Sequence, residues 1–213
     1  MTEDEARRWL SANFDVPRET WDRLERFVAE VIAENEHQNL ISAATIPEIW
    51  ARHIVDSAQL LRHAPLGPWI DLGSGPGFPG LVIAAMGDFP VTLVESRRRR
   101  ADFLARTAER LGIANRVTVI DKRLEQVESR PFAAISARAF APLDRLLPLA
   151  ARFATPDTIW VLPKGRSAQA ELDTARITWQ GAFRIEPSVT DPEAGVIVAT
   201  DVRSKTIRPG KAR

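Results

Sequence analysis

The run from Ile70 to Gly80 (Ile-Asp-Leu-Gly-Ser-Gly-Pro-Gly-Phe-Pro-Gly) constrains this chain more than any other part of it. An apolar stretch ends in an acidic residue, glycines recur at alternate positions, and an apolar segment with helical spacing follows from Leu81 to Met86. This is the pattern of a strand turning sharply into a helix while bare backbone stays open to a ligand. A side chain at Gly73, Gly75 or Gly77 is expected to fill the space that ligand needs.

The rest of the chain agrees with a strand–helix alternation. Strand-like runs fall at Trp69–Leu72, Val91–Val94, Val117–Ile120, Ala133–Ser136, Thr158–Leu162, Arg184–Pro187 and Val196–Thr200. Helical segments separate most of them, at Gly80–Met86, Arg97–Leu111, Leu143–Arg152 and Ala168–Thr178, which predicts a mainly parallel sheet covered on both faces. The last two strands are joined only by Ser188–Gly195, too short for a helical crossover, so they are expected to pair antiparallel. Ahead of the sheet, residues 4–12, 18–36 and 47–61 read as helices. Leu24, Phe27, Val28, Val31 and Ile32 form one apolar face, and Ile49, Trp50, Ile54 and Ala58 or Leu61 another. Pro and Gly between His63 and Pro68 mark a boundary. The expected organisation is a helical extension over 1–68, a ligand-binding domain over 69–200 and a basic tail over 201–213.

Two ligands compete for the glycine turn. From Gly75 the residues satisfy G-x-G-x-x-G, the dinucleotide fingerprint. From Asp71 they satisfy the acidic-x-G-x-G-x-G pattern of methyltransferases that use S-adenosylmethionine (AdoMet). A carboxylate at Asp71 opposes a pyrophosphate but suits a cofactor that carries a sulfonium and an ammonium. The closing antiparallel pair also favours the second reading. The expected fold is therefore an α/β, Rossmann-like class I AdoMet-dependent methyltransferase: a seven-stranded sheet, mostly parallel with one antiparallel strand, after an N-terminal helical segment. Glu95 ends the second strand, where a carboxylate accepts hydrogen bonds from ribose hydroxyls. Backbone near Leu124 and Glu125, after the third strand, is expected to border the adenine. Ser136, Arg138 and Phe140 follow the fourth strand, where the reacting methyl should lie, and Lys164 ends the fifth.

Composition removes several chemistries. The 213 residues contain no cysteine, so disulfides, thiolate metal sites and covalent cysteine adducts are excluded. His53 has no second ligand at metal spacing, and no metal is expected. No apolar run approaches the ~20 residues of a membrane span, and the acidic N-terminus lacks the layout of a signal peptide, so a cytoplasmic protein is expected. Net charge is only +1 but is segregated. Residues 1–36 hold ten acidic against five basic side chains, whereas Arg203, Lys205, Arg208, Lys211 and Arg213 face Asp201 alone. Arg97, Arg98, Arg99 and Arg100 form a basic cluster, and local field governs polyanion binding more than total charge.

The chain resembles the glucose-inhibited division protein B (RsmG) family, which methylates guanine N7 in 16S ribosomal RNA. The matching words are Asn39-Leu40-Ile41-Ser42, Arg52-His53-Ile54-Val55-Asp56-Ser57, Asp71 to Gly80, Ser136 with Arg138-Ala139-Phe140, and Lys164-Gly165. They fall in the family's order across residues 39–165. One departure is Ala137, between a serine and an arginine that the family usually sets side by side. The resemblance implies AdoMet contacts at Gly73, Phe78, Leu124, Glu125 and Arg138, with Asp71, Gly75, Gly77 and Glu95 shaping the same pocket. It implies 16S rRNA or the small subunit as partner, and guanine 527 in standard rRNA numbering as target.

Methylating N7 needs no prior deprotonation, because the lone pair is free and the product holds the positive charge. Catalysis then reduces to alignment and exclusion of water. No general base is assigned; Arg138 and Phe140 are the positioning candidates. Arg138 suits a guanine edge, a phosphate or the AdoMet carboxylate, and Phe140 suits a stacked base or the core. Asp56, four residues after Arg52, is placed to pair with it. Asn39, Arg52, His53, Arg97, Arg98, Lys122, Arg123 and Lys164 are candidate RNA contacts. Nothing in the sequence resembles a dedicated dimer surface, so a monomer is expected. A nicotinamide-linked oxidoreductase and a non-enzymatic RNA-binding assembly factor are the alternative readings.

Overall fold

All seven strand-like runs enter one sheet. They are β1 (Trp69–Leu72), β2 (Val91–Glu95), β3 (Val117–Asp121), β4 (Ala134–Ser136), β5 (Ile159–Lys164), β6 (Trp179–Pro187) and β7 (Gly195–Ser204). In this computed structural model, which describes residues 1–205, their order is β3-β2-β1-β4-β5-β7-β6. Neighbours from β3 to β5 pair parallel, and β7 runs antiparallel to both β5 and β6. One reversed strand in an otherwise parallel sheet is what the short link after β6 requires.

Side chains alternate across the sheet into two cores. Trp69, Leu93, Val161, Val196 and Val198 point to one face, and Ile70, Val94, Trp160, Leu162 and Ile197 to the other. On the first face lie α1 (Glu3–Asn13), α2 (Arg18–Gln38), α4 (Gly80–Met86) and α5 (Arg98–Arg110). The second face is covered by α6 (Leu143–Ala150) and α7 (Ala168–Thr178), with Phe153 fully buried beneath them. The N-terminal helices therefore share a core with the sheet. Helix α1 begins with a capping box in which Thr2 and Glu5 satisfy each other's backbone N–H groups. Helix α2 buries Leu24, Phe27, Val28 and Val31 but leaves Ile32 37% exposed, at the edge of the apolar stripe. It stops at Asn39, which takes the left-handed conformation.

Three differences from the sequence reading are informative. The helix expected over 47–61 is a broken rod: a 3-10 turn over Ala43–Glu48, a π-turn over Trp50–Val55, a short α3 over Asp56–Ala58 and a 3-10 turn over Gln59–Arg62. The wide π-turn rotates the apolar stripe, so Leu60 is buried and Leu61 only partly. Strand β6 begins at Trp179, earlier than Arg184, because its first residues pair with the end of β7 across an irregularity between Gln180 and Ala182. Strand β7 likewise continues to Ser204, beyond the boundary expected at 200. Of the basic tail, Arg203 is paired with Asp201, and Arg208, Lys211 and Arg213 lie outside the described residues. Among the described residues no helix is long and apolar enough to cross a membrane.

Gly80 opens α4 directly on β2. A Cβ there would meet Leu93 Cδ2 at 2.2 Å and Asp71 Oδ2 at 2.8 Å. Alanine normally stabilises a helix over glycine by ~1 kcal/mol, but overpacking a closed core costs about 1–3 kcal/mol. Leu93 is fully buried and has nowhere to go, so the clash prevails. Gly80→Ala should lower the urea midpoint at unchanged slope; an unchanged or raised midpoint would show that the helix and β2 separate easily.

Candidate functional site

The strand order reverses between β1 and β4, and the crevice outside their carboxyl ends is where open α/β sheets hold ligands. A buried polar chain fixes both strand ends. Trp69 Nε1 donates to Ser136 Oγ at 2.9 Å, and Ser136 Oγ donates to Asp71 Oδ1 at 2.7 Å. Gly80 N donates to the other oxygen, Asp71 Oδ2, at 3.2 Å. Burial pushes the Asp71 carboxyl up to about 6, against the opposing hydrogen bonds from Ser136, Ser74 and Gly80 and the charge of Arg138. Asp71 is fully buried and lines neither of the two clefts over the strand ends. The sequence reading set it beside the ligand; in the structure its oxygens tie the start of α4 to β4 behind the glycine turn.

The first cleft, about 400 Å³, lies over the ends of β1, β2 and β3 and is lined by Gly73, Glu95, Arg97, Arg100, Leu124 and Phe140 among others. Glu95 spans its floor, with Oε2 accepting from Gly75 N at 2.9 Å and Oε1 from Arg97 N at 2.8 Å. Each oxygen keeps a lone pair for a further donor. The glycines divide by task. Gly75 (φ +54°) is buried and lines neither cleft; a Cβ there would stand 3.8 Å from Gly73 O and 4.0 Å from Arg100 Nη1, in ordinary contact. A Cβ on Gly77 (φ +98°) would instead meet Leu81 at 2.7 Å and Phe27 at 3.0 Å, so Gly77 serves packing and not the ligand space expected of it. Gly73 (φ +70°) is covered by Phe140, whose Cδ2 would lie 2.3 Å from a Cβ there.

The second cleft, about 540 Å³, opens over the ends of β4 and β5 and shares Ala139 and Phe140 with the first. Arg52, Asp56, Arg138 and Lys164 line it, together with residues of the loop that joins β6 to β7. Arg138 is its anchor. Its Nη2 donates to His53 Nδ1 at 2.9 Å, which leaves the ring proton on Nε2, facing Thr45 Oγ1 at 3.0 Å. Nη1 sits 3.4 Å from Asp56 Oδ2, an ion-pair contact without hydrogen-bond geometry. Asp56 Oδ1 accepts from Gln59 Nε2 at 3.0 Å and Thr190 Oγ1 at 3.1 Å. Burial raises the Asp56 pKa, with Arg138 opposing, and burial lowers that of Arg138, with Asp56 opposing. His53 drops to about 3, first through burial and then through Arg138 and Arg52, and stacks on Phe78 with ring centroids 4.8 Å apart.

The structure thus gathers Gly73, Glu95, Arg97, Lys122, Arg123, Leu124, Glu125 and Phe140 around one cleft, and Arg52, Arg138, Phe140 and Lys164 around the other. Phe78 and Ser136 are buried behind these surfaces, and exposed Asn39 lines neither. Asp56 pairs with Arg138 and not with Arg52, because the π-turn breaks the four-residue spacing that would align them. Lys164 is tied to Glu171 Oε2 at 2.8 Å and Ala141 O at 2.9 Å, and Arg98 to Asp102 and Asp121. Sequence reasoning missed Gln59, Ser188, Thr190 and Asp191. Gln59 meets Ser188 and Val189, and Thr190 meets Asp56, across more than a hundred residues of chain, so no local pattern marked them; Asp191 reaches the cleft as part of the same loop.

A family model described as rRNA small subunit methyltransferase G matches residues 20–192. A Rhizorhabdus wittichii protein named ribosomal RNA small subunit methyltransferase G is 58% identical over 210 residues, covering 96% of this chain and 95% of that one. A protein of the same name from Zymomonas mobilis is 48% identical over 221 residues, with 99% of each chain covered. Among solved structures, a Methanococcus maripaludis protein described as an S-adenosyl-L-methionine-dependent methyltransferase matches with a TM-score of 0.58 at 12% identity, over 84% of this chain and 94% of that one. That likeness shows the fold, which is the class I methyltransferase sheet.

His53 should stay neutral throughout the physiological range. A histidine whose folded pKa of about 3 lies below its ordinary 6.5 binds fewer protons when folded, so its contribution to stability falls as pH drops from 6.5 toward 3. The slope inside that window is at most ~1.4 kcal/mol per pH unit. Its imidazole NMR signal should therefore not titrate between pH 5 and 8, and His53→Gln should lose less stability on acidification than the parent. A midpoint near 6.5 would contradict the buried arrangement.

Proposed function

The chain belongs to the rRNA small subunit methyltransferase G family, and on that premise we propose that it methylates N7 of a guanine in 16S rRNA, at position 527, using S-adenosyl-L-methionine. The observation that carries this reading is the pair of clefts meeting at Ala139 and Phe140 over the sheet's switch point. One offers Glu95 and the turn backbone at Gly73, which suit a nucleoside cofactor; the other offers the cationic Arg52 and Arg138, which suit a nucleotide. The cofactor supplies an electrophilic methyl: the N7 lone pair forms the new bond, the departing sulfur keeps the electrons of the old one, and the base retains the positive charge.

The chain's residues are suited to positioning more than to proton transfer. Both ring nitrogens of His53 are engaged, and Asp56 is held by Arg138, Gln59 and Thr190. Neither is free to take a proton, and N7 chemistry asks for none. Glu95 would accept from the ribose, and the first N–H groups of the 3-10 turn at Leu124–Gln126, which have no acceptor within the turn, would serve the adenine. Arg97, Arg100, Lys122 and Arg123 rim the first cleft, where phosphates of the RNA strand would be met. Arg98 and Lys164 are taken by carboxylates and contribute less. A ribosomal substrate puts the reaction in the cytoplasm.

Incubated with labelled AdoMet, the protein should methylate small-subunit RNA from a strain lacking the gene, and cleavage at 7-methylguanine should map the label to one nucleotide. Label at an amino or ribose position would sink the N7 assignment. Glu95→Ala should weaken S-adenosylhomocysteine binding by roughly tenfold or more, since it removes the ribose acceptor and also leaves two backbone N–H groups unpaired. Replacing Arg97, Lys122 and Arg123 by alanine should weaken RNA binding and flatten its dependence on log salt by about one unit for each phosphate no longer neutralised.

A further inference from the structure

The strip from Arg138 to Pro142 separates the two clefts, and it is pinned at both ends but not in the middle. Arg138 is bound to His53 and Asp56. Ala141 O accepts from Lys164 Nζ at 2.9 Å, and Leu143 N donates to Glu171 Oε2 at 2.9 Å. Between these anchors Ala139 and Phe140 make no hydrogen bond among the described residues. Ala139 holds φ +51°, a left-handed conformation that a Cβ disfavours. Phe140 is 37% exposed and lines both clefts, yet its ring lies on Gly73, the backbone a ligand of the first cleft would approach.

We propose that Phe140 is a movable partition, a positioning residue that covers Gly73 in the free protein, yields to the cofactor, and then serves as the stacking face for the target purine. This rests on the function proposed above. The geometry forces the sequence of events. A ring lying on Gly73 cannot also leave room for a cofactor there, so the cofactor must displace it. The displaced ring has the second cleft to enter, whose lining includes Pro142 and Pro163, and a flat apolar face there meets a base. Cofactor binding therefore prepares the RNA site, and linkage requires that RNA strengthen cofactor binding by the same factor.

The test is a set of binding measurements on the full chain with S-adenosylhomocysteine and a 16S rRNA transcript. Each affinity is measured with and without the other ligand, by calorimetry and by gel retardation. The parent protein should bind RNA about 5- to 10-fold more tightly when S-adenosylhomocysteine is present, at the low end of typical coupling. Phe140→Ala should bind S-adenosylhomocysteine at least as tightly as the parent, because nothing has to be displaced, and should lose the coupling; Phe140→Trp should restore it. A merely structural role would weaken both ligands together and leave their coupling unchanged, and that result overturns the proposal. Equal coupling in parent and Phe140→Ala overturns it as well. Should Phe140→Ala not fold, as judged by circular dichroism, Phe140→Leu carries the same test. A parent that binds neither ligand counts against the function itself, so the two failures are distinct.

Discussion

The site depends on one buried carboxylate. Asp71, next to last in β1, commits both oxygens to structure, one to Ser136 of the neighbouring strand and one to the N–H that opens α4. Without it, a strand end and a helix start would each keep a polar group in a dry core, where an unmet hydrogen bond costs about 1–3 kcal/mol. With it, the glycine turn between them is held at a fixed height above the sheet. The raised pKa of Asp71 records what that burial costs, and its hydrogen-bond partners record what offsets it.

A second buried charge does the same for the other cleft. Arg138 leaves β4 and is held by His53 and Asp56, both from the broken helical rod ahead of the sheet. Through Gln59 and Thr190 the same network reaches the loop between β6 and β7. Distant stretches of chain thus meet at one guanidinium. That is a physical reason for the helical rod ahead of the sheet to share a core with it: the rod supplies Arg52 and Asp56 to the second cleft, with His53 and Gln59 behind them. It also accounts for a π-turn at residues 50–55, since a regular helix would set Asp56 beside Arg52 and away from Arg138.

Much of the fold was legible because its signals are local. Alternating apolar runs of four to six residues, helices between them and a short final link specify a mostly parallel sheet with a reversed strand, whatever the details of packing. The position of Glu95 at the end of the second strand was legible too. What misled was reading each residue of a motif as a contact. Asp71, Gly75, Gly77, Phe78 and Ser136 are buried and line neither cleft, while Gly73 and Glu95 line the first. Charge misled in the same way: Lys164 and Arg98 look free in a sequence and are paired in space.

The sequence by itself determined the fold class, the position of the ligand turn and the chemistry open to a chain without cysteine, because these follow from periodicity, glycine placement and composition along neighbouring residues. Only the tertiary structure decided which motif residues face the clefts, how His53 is kept neutral, and that Phe140 stands between the two sites. Each of those depends on contacts between residues far apart in the chain. Burial and pairing, which set side-chain direction, charge state and strain, come into being only when those distant segments meet.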